Sequence, residues 1–169
     1  MTIKNSAPKD LPEIFRLYKI ASAYQEKKKT VVVWPEFETQ LVETEIAENR
    51  QWKLLIDNQI ACVWATTFDD AEIWEERNAD AVVYIHRIAV NPEFRGRNFV
   101  AHIVEWAKEY AKSHQKEFVR LDTIGNNTGL IAHYQKAGFE FLGIFTLKST
   151  LGLPAHYQNG PVSLFEIKL

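Results

Sequence analysis

In Asn91-Pro92-Glu93-Phe94-Arg95-Gly96-Arg97-Asn98-Phe99-Val100-Ala101 a strand gives way to a helix through a turn rich in arginine, glycine and asparagine. A hydrophobic strand over residues 81–90 stops before it, because Pro92 cannot donate to a β-ladder. A strongly amphipathic helix over residues 97–112 follows it, with Phe99, Ile103, Trp106 and Tyr110 in one stripe. Val100, Val104, Ala107 and Ala111 widen that stripe. The first amides of a helix lack intrahelical partners and lie at the positive end of its dipole. Gly96 and Asn98 both tolerate the positive φ angles that let successive amides converge, and Arg95 and Arg97 add formal charge. A pyrophosphate-sized anion fits such a turn. The same residues also make an ordinary helix start with solvated arginines.

On either side of this turn the pattern alternates strands and helices. Upstream lies a first strand at residues 2–6 and a helix capped by Asp10, with Pro12 in its first turn. A second helix starts at Trp34-Pro35-Glu36, and two strands flank the polar connection Asp57-Asn58-Gln59. Residues 68–80 read as acidic and irregular. Downstream come a buried strand at residues 118–122 and a helix from Asn127 to Ala137, ended by Gly138. Two closing strands, residues 139–147 and 162–169, flank a long loop. These elements predict an α/β (α+β) fold, a mixed and mainly antiparallel sheet of about seven strands with helices on both faces. The 169 residues fit one domain with one sizeable core.

Composition narrows the partners. Hydrophobic residues make up 46% and charged residues 25%, with a formal net charge of -2. No basic field is present to hold nucleic acid, and the short run Lys27-Lys28-Lys29 reads as a solvated loop. No stretch reaches the length of a membrane span, and Met1-Thr2-Ile3-Lys4 carries no signal-peptide pattern, so a cytoplasmic location is expected. The single Cys62 sits in a buried strand pattern and reads as structural. The five histidines show no metal-ligand spacing, so no metal is expected.

The segment from Ile85 to Gly143 resembles the core of the GNAT family of N-acetyltransferases. The residues carrying the resemblance are His86-Arg87-Ile88-Ala89-Val90-Asn91-Pro92, Arg95-Gly96-Arg97, Glu105-Trp106-Ala107, Asn127, and Tyr134-Gln135-Lys136-Ala137-Gly138-Phe139, in that order. The flanking elements fit the same layout, so the likeness covers nearly the whole chain. Asn98 and Val100 stand where the family usually has small residues, and Val100 raises the question of close pyrophosphate approach.

The resemblance implies direct transfer of an acetyl group from acetyl-CoA to a primary amine of a small molecule or peptide. It places the pantetheine arm against Ile88, Ala89 and Val90, and the pyrophosphate at Arg95, Gly96, Arg97, Asn98, Val100 and Ala101. It also assigns Asn127 to the pantetheine and the Tyr134 hydroxyl to the departing sulfur. Tyr84 and His86 lie two apart on one strand face, near the acyl group, and His86 has the intrinsic pKa of a general base. A water relay is the other route for the proton. For the acceptor, Trp34, Asp69 and Trp74 offer aromatic and acidic contacts to a cationic amine, in a monomer or a homodimer. A second possibility is an acyl-CoA-binding sensor or interaction module without turnover, which Val100 and the lack of a glutamate base would fit. A nucleic-acid binder using Arg95 and Arg97 is the third.

Overall fold

The computed structural model describes residues 1–28 and 32–169; Lys29, the last of the basic run, lies outside them. Among the described residues, seven strands form one sheet in the order β1-β2-β3-β4-β5-β7-β6. They are β1 (Thr2–Asn5), β2 (Gln51–Ile56), β3 (Gln59–Thr67), β4 (Val82–Val90), β5 (Phe118–Ile124), β6 (Glu140–Phe145) and β7 (Val162–Lys168). Every neighbouring pair is antiparallel except β4 and β5, which run parallel. The mixed, mainly antiparallel sheet expected from the sequence is therefore present.

Five α-helices accompany it among the described residues: α1 (Leu11–Lys28), α2 (Thr39–Ala47), α3 (Ala71–Trp74), α4 (Phe99–Ser113) and α5 (Thr128–Lys136). Ile14 and Leu17 of α1 and Val42 of α2 pack with Val63 and Ala89 on one face of the sheet. Ile103, Val104 and Ala107 of α4 pack with Val83, Ile85 and Phe165 on the other, joined by Ile131 and Tyr134 of α5. Both faces are thus covered, as an α/β arrangement requires.

Local chemistry explains the boundaries. Asp57 and Asn58 both have positive φ, 49° and 64°, the twist-matched geometry of a two-residue hairpin, so Gln59 already belongs to β3. Cys62 is fully buried, and burial pushes its thiol up to about 12, as suits a structural cysteine.

Four local expectations are corrected. Asp10 ends a 3-10 turn, Pro8–Asp10, instead of capping α1; its carboxylate accepts from the Ala7 amide at 2.7 Å and from Lys53 Nζ at 2.5 Å. The second helix begins at Thr39, since Trp34 and Phe37 are drawn out of it into an edge-to-face aromatic cluster with Tyr18. Residues 68–80 are not irregular: α3 and a 3-10 turn (Glu75–Ala79) occupy most of them. Finally, α4 starts at Phe99, because Asn98 takes a left-handed conformation (φ 52°, ψ 47°) that leaves Arg97 outside.

Two departures from regular pairing make room for a site. β4 and β5 pair only over Val82–Tyr84 with Phe118–Arg120, so from Ile85 onward β4 has β3 on one side and, among the described residues, no strand on the other. β4 also carries a bulge. Ala65 opposes His86 and Val63 opposes Ala89, so two residues of β4, Arg87 and Ile88, face one of β3, Trp64, with Arg87 at φ 51°.

Candidate active site

The gap between β4 and β5 opens into a cavity of about 1310 Å³ bounded by β4, the turn before α4, α5 and the 3-10 turn Ala155–Asn159. Its floor includes Ile88, Ala89 and Val90. The unpaired edge of β4 offers backbone donors and acceptors to an extended ligand, which could add to the sheet as a short strand would.

At one end of the cavity lies the turn. Gly96 has φ 81° with nothing within 4 Å of a hypothetical Cβ, and the left-handed Asn98 follows two residues later. Amides of Gly96, Arg97 and Asn98 bond no backbone carbonyl among the described residues. Those of Phe99 and Val100 open the helix and have no intrahelical partner. Ala101 is a correction: its amide donates to the Asn98 carbonyl at 3.1 Å and it does not line the cavity. The Val100 side chain, 8% exposed, turns into the core beside Ile103 and Val104, so it does not block the turn. Arg95 lies over the Tyr24 ring at 5.0 Å and Arg97 over Phe94 at 5.5 Å.

Tyr134 projects from α5 with its ring 5.2 Å from Phe165 and 5.9 Å from Phe139. It lines the cavity, and its hydroxyl has no hydrogen bond among the described residues. Burial, with the Asp122 charge adding, pushes that hydroxyl well above the ordinary tyrosine value, so it stays protonated. Asn127 caps α5 through Oδ1, which accepts from the Leu130 amide at 3.0 Å, and it too borders the cavity.

His86 sits where β4 and β5 part, and two carboxylates flank it, Asp70 and Asp122, the second of which the sequence did not single out. Its Nε2 lies 3.4 Å from Asp70 Oδ2, and Asp122 enters from the end of β5. One ligand atom each from Asp70, His86 and Asp122 fall within 4.8 Å of one another. Three separate segments supply them, so spacing along the chain could not reveal the cluster. Tyr157 donates its hydroxyl to Asp122 Oδ2 at 2.8 Å. Burial draws the His86 imidazole down, but the Asp70 contact and the charges of Asp70 and Asp122 outweigh it, leaving the pKa above the usual 6.5. Burial pushes Asp122 up to about 6, with His86 and Tyr157 opposing and Asp70 reinforcing the rise. Such a cluster can take up and release a proton near neutrality.

The remaining expected residues divide. Trp34 is half-buried on the cavity wall and Asp69 is exposed at its rim, accepting from Asn78 Nδ2 at 2.7 Å. Tyr84 and Trp74 are corrections. Both are buried, 5.5 Å apart with Arg120 over the Trp74 ring at 5.0 Å, and neither lines the cavity. Tyr84 shares a face with His86 but points beneath the region where β4 and β5 still pair, into a core of Val82 and Leu164.

The sequence model of the Acetyltransferase (GNAT) family matches residues 13–139. The chain belongs to that family. Among curated relatives, it is 30% identical over 74 residues to the uncharacterized N-acetyltransferase YesJ of Bacillus subtilis, spanning 44% of this chain and 41% of YesJ. It is 34% identical over 79 residues to an uncharacterized N-acetyltransferase of Methanocaldococcus jannaschii, spanning 47% of this chain and 31% of that protein. The matched segments thus cover less than half of those relatives. A GNAT-family acetyltransferase structure from Listeria monocytogenes superposes with a TM-score of 0.78 at 22% identity, over 99% of this chain and 94% of that one. The structure of yncA from Salmonella typhimurium, solved with its cofactor acetyl-CoA, superposes with a TM-score of 0.70 at 12% identity, over 100% and 94%. These likenesses establish the GNAT fold.

Proposed function

We propose that the chain, acting as one transferase domain, moves an acetyl group from acetyl-CoA directly to a primary amine. The observation that carries this reading is the open edge of β4 running into a turn of unpaired amides, both on one cavity. An extended pantetheine needs the first and a pyrophosphate the second. The yncA structure, which holds acetyl-CoA in the same fold, supports the choice of coenzyme. Ile88 to Val90 would bond the pantetheine, and amides of residues 96–100 would hold the pyrophosphate, with Arg95 and Arg97 adding charge at its rim.

The chemistry then follows from the groups around the thioester. The neutral amine attacks the carbonyl carbon; a C–N bond forms and the C–S bond breaks. A backbone amide near Ile88 faces the developing oxyanion. An alkyl amine has a pKa of about 10.4, so most of it arrives protonated. His86, directly or through one water, takes the amine proton, and Asp70 and Asp122 stabilise the imidazolium that forms. Tyr134 gives its proton to the departing sulfur, producing CoA thiol, and regains one from solvent. Products are CoA and the acetylated amine. Val100 packs into the core and so gives no support to a binding module without turnover.

The test is acetyl-CoA consumption with a broad amine panel, following free thiol and acetylated product together. Amine-dependent thiol release with matching product is expected. Acetyl-CoA bound but unconsumed across the panel would overturn the transferase reading.

A further inference from the structure

The bulge in β4 turns two consecutive residues of opposite character toward one space. His86 belongs to the acidic cluster with Asp70 and Asp122. Arg87 reaches toward α2, where it pairs with Glu45 through Nη2 and approaches the Tyr18 hydroxyl through Nε at 3.5 Å. Its Nη1 has no partner among the described residues and is not among the buried unpaired atoms, so it opens on the cavity that Arg87 lines.

His156 stands on the same side. The Phe37 ring touches both, with the Arg87 guanidinium carbon at 5.3 Å and the His156 ring at 6.0 Å. His156 is 7% exposed, it lines the cavity, and its Nδ1 is buried with no partner. A buried unpaired N–H is rarer and costlier than a buried unpaired lone pair, so the proton belongs on Nε2. Burial and the Arg87 charge draw its pKa down to about 4, which keeps the ring neutral. Two donors, Arg87 Nη1 and His156 Nε2, thus face the cavity with no acceptor from the described residues.

We propose that the acceptor is an α-amino acid, its free carboxylate held by Arg87 and His156 and its amine turned to the Asp70, His86 and Asp122 side. This rests on the transferase reading. Consecutive Cα atoms are about 3.8 Å apart, so the acidic and the donor-rich regions adjoin, as the two charges of an α-amino acid do. A simple alkylamine would leave both donors unpaired. Trp34 and Phe37, edge to face at 5.8 Å, provide an apolar wall for a hydrophobic side chain.

The experiment uses the full chain, acetyl-CoA and the common L-amino acids, with the amide and the decarboxylated amine of each aliphatic and aromatic member. Thiol release gives kcat and KM, and calorimetry on the CoA-loaded protein gives binding. A free amino acid should exceed its decarboxylated amine and its amide by roughly tenfold or more in kcat/KM, the effect of one charge-assisted hydrogen bond. His156→Phe and the charge-matched double variant Arg87→Met/Glu45→Gln should collapse that preference, through a rise in KM for the free amino acid. Equal use of amine, amide and amino acid would overturn the proposal while leaving the transferase reading intact. If no amine is acetylated, the transferase reading fails, and calorimetry decides alone. Preferential binding of free amino acids then supports the carboxylate site; equal or absent binding removes it.

Discussion

Replacing Tyr134 with phenylalanine removes one hydroxyl and leaves the ring where it is, 5.2 Å from Phe165 and 5.9 Å from Phe139. Because that hydroxyl has no protein partner among the described residues, the fold loses no hydrogen bond. Stability should stay within about 0.5 kcal/mol of the parent. The chemical step should suffer more. A positioned general acid contributes about 10²–10⁴-fold. The leaving group here is a thiol with a pKa of about 8.5, which departs more readily than an amine, so the lower end applies. A fall of about 10²-fold in kcat corresponds to ~2.7 kcal/mol on the barrier. Steady-state thiol release at saturating amine gives kcat, acetyl-CoA titration gives its KM, and thermal unfolding gives Tm. The expected pattern is a large fall in kcat with KM and Tm near those of the parent. A kcat within twofold of the parent would take Tyr134 out of the mechanism. A loss that tracks a lower Tm would make it a packing residue.

The other predictions concern the base, the turn and the fold. A base must be neutral to act, and the His86 pKa is raised, so kcat/KM should fall with decreasing pH along a limb above about 6.5. His86→Gln should abolish that limb, and Asp70→Asn should move it toward lower pH; a pH–rate series on each variant checks both. At the turn, Asn98→Val puts a β-branched residue at φ 52°, which should cost about 1–2 kcal/mol and raise KM for acetyl-CoA, whereas Asn98→Gly should not. Lys53→Met strands the Asp10 carboxylate, 10% exposed, and should destabilise by about 3–5 kcal/mol in denaturant melts. The Asp10 pKa is lowered in the folded state: burial opposes this, and Lys53 and the Ala7 amide prevail. The stabilisation is therefore complete above about pH 4 and lost as pH falls through the lowered value, so the parent and Lys53→Met curves should converge in acid.

The parts of the molecule that a sequence expresses locally were legible. The stripe on α4, the stop at Asn91-Pro92, the hairpin at Asp57-Asn58 and the glycine after α5 each carry a periodicity or a turn requirement within a few residues. Less legible was anything that depends on two segments meeting. The acidity of residues 69–76 reads as a solvated loop until α3 folds Asp70 back against His86. Asp122 looks like the end of a buried strand, and only the parting of β4 from β5 exposes its carboxylate to the cavity. Strand alternation put Tyr84 and His86 on one face, correctly, but could not say that the cavity begins between them. Alternation also failed at Arg87, where a single bulged residue turns a side chain from the opposite face to stand beside His86. Trp74 was misplaced for a related reason, since the ring of a short helix after β3 is claimed by Arg120, a residue from β5.

Acetyl-CoA held jointly by the β4 edge and the turn before α4 is what the proposed transfer requires first. A crystal structure of the protein soaked with CoA tests it most directly. Pyrophosphate oxygens are expected within hydrogen-bonding distance of the amides of residues 96–100, with the pantetheine arm paired to the backbone of residues 88–90. CoA bound elsewhere, or a turn that stays empty at saturating CoA, would contradict it.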